Sequence, residues 1–215
     1  LIPSIGGQPP RTAFGHIFSR QLALMRIIGG LPQPFEGEDE AMLQRLQQAV
    51  DGFDILEEPE GDIVQLAMAM VKRPISILGP TELSPALTRF KNQLNENSAR
   101  FARTGTVPEM NHNESVAWGG VGNTQDPYAE QHLILLLAWP GIHTRVSDRM
   151  DWMVSHFATD FAWRIDGEGK SLLESLLYLC ILMDWISISL GLLHGKDPAA
   201  IEPIIALKDF LSSKN

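Results

Sequence analysis

Residues 73–101, RPISILGPTELSPALTRFKNQLNENSARF, contain the pattern that decides the fold. The run at residues 75–78 is short and apolar, and Gly79-Pro80 follows it, which predicts a buried strand ended by these two residues. Ser84-Pro85 predicts the start of a helix that extends towards Phe101, with the serine as N-cap and the proline at the first helical position. A buried strand followed directly by a helix is typical of an α/β fold.

The same alternation continues on both sides of this segment. Apolar residues at spacings of three and four predict helices at residues 11–28, 38–50, 62–72, 144–157 and 201–211, with a long apolar helix at 172–193. Nearly continuous apolar runs at residues 132–139 and 161–165 predict further strands. Helices alternating with short, unbroken apolar strands predict a three-layer αβα architecture around a doubly wound, mainly parallel sheet.

Charge and hydropathy narrow the range of partners. The 215 residues carry a formal net charge of -9, so the chain lacks the broad basic field that attracts nucleic acid, and we expect no such partner. The apolar run at 172–193 is long enough to span a bilayer, but Glu174 and Asp184 interrupt it. Because an acidic residue near a helix centre costs about 3 kcal/mol on insertion, we predict a buried core helix and no membrane partner.

Cysteine and histidine usage argues against a metal site. The single cysteine, Cys180, excludes an internal disulfide and a cysteine zinc cluster, and a cytoplasmic protein is the expectation that follows. The six histidines include no pair three or four residues apart, so we predict no metal.

Two polar segments are the candidate site: LNENSAR at residues 94–100 and PEMNHNES at 108–115. Carboxylates, amides and a histidine at the ends of α/β elements are typical of ligand sites. At about 100° per residue, Glu96 falls on the side of its helix away from the apolar stripe formed by Leu83, Leu87, Phe90 and Leu94, which by itself favours a solvated surface glutamate. The glycines of WGGVGN, residues 118–123, fit no phosphate-loop pattern because residue 125 is Gln, and we predict a flexible loop there.

Four blocks in order resemble one family. They are QPPRTAFGH at residues 8–16, KNQLNENSA at 91–99, PEMNHNE at 108–114 and GKDPAAIEPIIALKDFL at 195–211. Together they are similar to the bifunctional phosphoglucose/phosphomannose isomerases, of the sugar-isomerase (SIS) fold class. The resemblance implies that residues 59–215 form a C-terminal SIS domain and that residues 1–58 are a helical segment linking it to an N-terminal SIS half that is missing here.

The resemblance also implies an activity and four site residues. The reaction is the isomerisation of glucose 6-phosphate or mannose 6-phosphate to fructose 6-phosphate, a step of glycolytic carbohydrate metabolism, without metal or cofactor. Glu96 matches the base that moves a proton from C2 to C1 through an enediol, and His112 matches a histidine that assists ring opening and is donated across a homodimer interface. Lys208 matches a lysine near the ring oxygen, and Arg11 matches an arginine that stabilises the enediolate.

Two expectations qualify this interpretation. The loops that hold the substrate phosphate belong to the family's first SIS half, so we expect this chain alone to be inactive. A non-catalytic SIS module that binds a sugar phosphate as a regulatory ligand, and an oligomerisation domain built on the long apolar helix, are the alternatives; neither explains all four site residues.

Overall fold

The computed structural model of the protein describes residues 7, 10–121, 124 and 126–214. The chain divides into two units, Leu1–Gln44 and Arg45–Asn215. The first unit contains helix α1, Phe14–Ile27, and the beginning of α2, Glu38–Asp51. Within it, the Arg26 guanidinium donates to both carboxylate oxygens of Asp39, at 2.5 and 3.1 Å.

Strands and helices alternate along the second unit. Its elements are α3 (Asp62–Met70), β1 (Ile75–Pro80), α4 (Ser84–Ser98), β2 (Ala102–Val107), α5 (Glu114–Gly119), β3 (Leu133–Ala138), α6 (Thr144–His156), β4 (Ala162–Asp166), α7 (Leu172–Leu193) and α8 (Glu202–Ser212). A short 3-10 helix, Glu109–His112, lies between β2 and α5.

The four strands form one parallel sheet in the order β2-β1-β3-β4. Ile75 pairs with Ala102 on one side and with Leu133 on the other. Every residue of the central strands β1 and β3 is buried because helices cover both faces. The predicted α/β fold with a parallel sheet between helical layers is confirmed.

Alternate strand residues face two separate cores. On one face, Leu78, Ile134 and Leu136 pack with residues of α5, α6 and the 3-10 helix at 109–112. On the other face, α4 covers β1 and β2, and α7 packs against α3 and α4. The Leu87 side chain touches Gly79 there: a Cβ added at that glycine would lie 3.2 Å from Leu87 Cδ2.

Some element boundaries differ from the sequence predictions. Gly79 and Pro80 belong to β1 rather than ending it. A 3-10 turn at Thr81–Leu83 continues into α4, so Leu83 is the N-cap and Ser84 is already helical. β2, ARTGTV, was not predicted because it is an edge strand that contains no unbroken apolar run, and five of its six residues are only partly buried.

The glycine-rich segment at 118–123 is only partly described. Gly119 is the last residue of α5, while Gly122 and residue 125, on which the loop prediction also rests, lie outside the described residues. Gln8 and Pro9 of the first family block lie outside them too.

Among the described helices, α7 alone is long and apolar enough to cross a membrane, judged by length and composition only. Core helices of soluble proteins meet the same criterion. Its residues Met183 and Ile186 are buried, and Asp184, near its centre, accepts hydrogen bonds from Arg89 at 2.5 Å and Gln93 at 2.8 Å, both on α4. The acidic residue inside the apolar run therefore has partners within the fold.

Candidate active site

Glu96 lies in the last turn of α4, where the helix ends in an ordered cap. Ala99 adopts a left-handed conformation, with φ 51°, and its amide donates to the carbonyl of Leu94. The Ser98 hydroxyl donates to the same carbonyl at 2.7 Å. Glu96 itself is half-buried, while Leu83, Leu87, Phe90 and Leu94 are buried as predicted. Hydrogen bonds at the end of α4 thus hold the backbone that carries the Glu96 carboxylate.

Asn97, next to Glu96, holds the end of α4 against α7. Its side chain is buried, and Nδ2 donates to the Ser187 hydroxyl at 2.9 Å. The backbone carbonyl oxygen of Asn97 lies so close to Gly191 that a Cβ added at Gly191 would be only 2.4 Å from it. The hydrogen bond of the Asn97 side chain and the absence of a side chain at Gly191 together allow the backbones of α4 and α7 to approach each other beside Glu96.

Two cationic side chains, those of Lys196 and Arg100, bind backbone carbonyls near the C-terminal end of α4. The Lys196 ammonium donates to the carbonyl of Glu96 at 2.9 Å. The Arg100 guanidinium donates to the carbonyls of Val71 and, at 2.7 Å, Arg73, which lie just before β1. Burial lowers the pKa of the Arg100 guanidinium from its ordinary value. These contacts place Glu96 at the edge of the sheet where the parallel strands begin.

His112 lies on the other face of the sheet. It is the last residue of the 3-10 helix at 109–112 and is exposed. Met110, two residues earlier, is buried in the core that α5 and α6 cover, whereas α4 with Glu96 packs on the opposite face. The sheet therefore separates Glu96 from His112 within one chain.

The other two predicted residues, Lys208 and Arg11, belong to other segments of the chain. Lys208 is exposed, two turns into α8, a helix with no buried residue. Arg11 is half-buried in the first unit. The segment that precedes α8 is attached to the Glu96 end of α4 through Lys196, so α8 starts near that edge of the sheet.

Two side chains form a hydrogen bond at the crevice where ligands commonly bind in such sheets. This crevice lies between β1 and β3, because the chain passes from β1 to α4 on one face of the sheet and from β3 to α6 on the other face. There the Trp139 indole N–H donates to the Glu82 carboxylate at 3.0 Å. A carboxylate and an indole ring at this position do not form a cradle for a phosphate group.

Two surface clefts flank the segment that carries His112. One, of about 350 Å³, lies between the start of α4 and Glu109, Met110, Asn113 and Glu114. The other, of about 400 Å³, lies between Asn111, Ser115 and α6. None of the four predicted site residues lines either cleft. In the described ranges, no three His, Cys, Asp or Glu side chains are grouped so that they could hold a metal ion.

Lys196, Asn97 and Gly191 were not identified from the sequence as parts of the site. Asn97 and Lys196 lie within recognised blocks, but their roles depend on contacts between residues 90 to 100 positions apart. Neither helical periodicity nor local motifs report such contacts.

Comparison with known proteins agrees with this architecture. The bifunctional phosphoglucose/phosphomannose isomerase of Aquifex aeolicus is 30% identical over 214 residues, covering 95% of this chain and 59% of that protein. The enzyme of the same name from Thermoplasma acidophilum is 26% identical over 207 residues, covering 96% of this chain and 61% of that protein. The chain thus spans about three fifths of the length of these relatives.

A solved structure supports the fold alone. Glucosamine-6-phosphate deaminase from Thermotoga maritima superposes with a TM-score of 0.59 at 13% identity, over 87% of this chain and 53% of that chain.

Residues 60–211 match the family described as the bacterial phospho-glucose isomerase C-terminal SIS domain. The resemblance seen in the four sequence blocks is confirmed, and the chain belongs to this family of C-terminal SIS domains.

Proposed function

We propose that the chain is the C-terminal part of an aldose-ketose isomerase that converts glucose 6-phosphate or mannose 6-phosphate to fructose 6-phosphate. The observation that carries the proposal is the match to isomerases of this name over 95% of the chain. The domain boundary between residues 58 and 59, the cytoplasmic location and the absence of metal and cofactor from the reaction remain parts of the same proposal.

Glu96 is the base of the proposed reaction. Its carboxylate accepts the C2 proton of the open-chain aldose, and the electron pair left behind forms the C1–C2 double bond of the enediol intermediate in its enediolate form, with the charge on O1. A proton passes from O2 to O1, and the Glu96 carboxyl group returns its proton to C1 to give the ketose. The ordered end of α4 supports this role, because a base has to be held within hydrogen-bond reach of the proton that it moves. Arg11 stabilises the negative charge of the enediolate, and Lys208 acts near the ring oxygen.

His112 assists ring opening at the site of a second copy of the chain. Its position supports this arrangement, since the sheet lies between it and the Glu96 of its own chain. A symmetric dimer in which each copy lends His112 to the other contains two complete sites.

The phosphate group of the substrate binds to the first SIS half of the enzyme. The crevice between β1 and β3 supports this assignment, because the Glu82 carboxylate lies there and repels an anion. This chain then supplies the base and the ring-opening groups, and it is inactive without the remainder of the enzyme.

The first experiment measures proton exchange at C2 of glucose 6-phosphate in D2O with the full-length protein. We expect the wild type to incorporate deuterium and Glu96→Gln to do so roughly 10²–10⁴-fold more slowly. Glu60→Gln, which changes an exposed glutamate in a loop, is the matched control and should exchange like the wild type. Equal exchange in Glu96→Gln would remove this residue from the mechanism. Binding of the sugar phosphate without exchange in the wild type would favour the regulatory module.

The second experiment tests the shared site by mixing two inactive variants. Glu96→Gln and His112→Ala subunits, unfolded together and refolded, should recover roughly one quarter of wild-type activity, because half of randomly paired dimers are mixed and each mixed dimer has one intact site. No recovery, with dimers formed normally, would mean that His112 does not act across the interface.

A further inference from the structure

Lys196 connects two segments that carry proposed site residues. Its ammonium group donates to the carbonyl oxygens of Glu96 at 2.9 Å, Asp197 at 2.9 Å and Ala200 at 3.1 Å. The first acceptor belongs to the last turn of α4, and the other two belong to the loop that leads from α7 to α8. One cation therefore joins the segment of the proposed base to the segment that precedes Lys208.

The chemistry of the ammonium group limits what Lys196 can do. A lysine has three N–H donors and no acceptor, and all three donors have carbonyl partners here. It has no donor left for a substrate oxygen, so it does not act directly on the sugar. Its charge instead lies at the C-terminal end of α4, where the helix carbonyls favour a cation.

The contacts around Lys196 show why the position of Glu96 depends on it. Asn97 anchors α4 to Ser187, and its carbonyl touches Gly191, but both contacts act on the residue after Glu96. Lys196 binds the peptide group of Glu96 itself, through the Glu96 carbonyl. Without it, the Glu96 carbonyl loses the charged hydrogen bond that joins the loop to the helix, and the loop loses two hydrogen bonds of its own, to the carbonyls of Asp197 and Ala200.

We propose that Lys196 is a positioning residue of the isomerase site, which orients the Glu96 backbone and sets the start of α8 relative to it. This inference rests on the proposed isomerase function. A base displaced by about 1 Å can lose about 10²-fold in rate even when the substrate still binds. Loss of Lys196 should therefore slow proton transfer more than it weakens substrate binding.

The test compares Lys196→Met with the wild type in the full-length protein. We expect kcat for glucose 6-phosphate to fall about 10–100-fold with KM nearly unchanged. The kinetic isotope effect with substrate deuterated at C2 should increase because proton transfer becomes slower than the other steps. Lys196→Arg keeps the charge and several donors, and it should recover most of the lost rate. Lys72→Met makes the same substitution at an exposed lysine before β1 and should behave as the wild type.

Each outcome separates the two proposals. Unchanged kcat and isotope effect in Lys196→Met would overturn the positioning role and leave the proposed function intact. A wild-type protein that neither isomerises the sugar nor exchanges its C2 proton would overturn both. Loss of folded protein in parallel with loss of activity, measured by thermal denaturation, together with an equally inactive Lys196→Arg, would show that the lysine only supports folding and would overturn the inference.

Discussion

Replacing Gly191 with alanine tests the close packing that holds the end of α4. The added Cβ would lie 2.4 Å from the carbonyl oxygen of Asn97 and 3.2 Å from its carbonyl carbon. Ordinary van der Waals contact begins near 3.4 Å, so the two backbones must separate by about 1 Å. Because both partners are backbone, no side-chain rotation can relieve the contact.

The sign of the effect distinguishes packing from helix propensity. Gly191 lies inside α7, where Gly→Ala alone would stabilise the helix by about 1 kcal/mol. Overpacking a tight core typically costs about 1–3 kcal/mol, and contact between two backbones belongs at the upper end. The net expectation is a loss of about 2 kcal/mol, which for a chain of this size lowers the Tm by about 4–8 °C.

Thermal denaturation of Gly191→Ala, followed by circular dichroism, measures this loss. Gly15→Ala is the control, since Gly15 lies in α1 and a Cβ there would meet nothing within 4 Å. It should be neutral or slightly stabilising. If Gly191→Ala were as stable as the wild type or more so, the close approach of α4 and α7 would be wrong. The contact between Asn97 and Gly191 could then no longer be taken to hold the backbone next to Glu96.

Two further predictions concern buried titratable groups. The hydrogen bonds from Arg45, at 2.5 and 2.9 Å, lower the pKa of the Glu174 carboxyl. The ion pair therefore contributes its full stability above the ordinary glutamate pKa of about 4.3, and this contribution is lost as pH falls through the lowered pKa of the folded state. The urea midpoint of Glu174→Gln should lie below that of the wild type at pH 7 and approach it in acid; a constant difference at every pH would contradict this. Burial raises the pKa of the Cys180 thiol to about 12, so iodoacetamide should modify it at pH 8 only after unfolding, and rapid labelling of the native protein would contradict its burial in α7.

The hydrophobic pattern alone was sufficient to predict most of the fold. β1, β3 and α7 are apolar runs that must be buried wherever they occur, so their type can be read from local sequence. β2 could not be predicted in this way, because it forms through pairing with β1 and five of its six residues are only partly buried. The start of α4 was predicted one residue late, since a 3-10 turn merges into the helix and takes over the N-cap.

The four blocks and their order determined the family and named Glu96, His112, Lys208 and Arg11 as candidates, because a family match needs only residue identities. Only the tertiary structure decided that Glu96 and His112 lie on opposite faces of one sheet. It also decided that Lys196, 100 residues from Glu96, binds its carbonyl. Local sequence sets helices, strands and residue chemistry through short-range preferences, whereas contacts between distant segments arise only when the elements pack and their register is set.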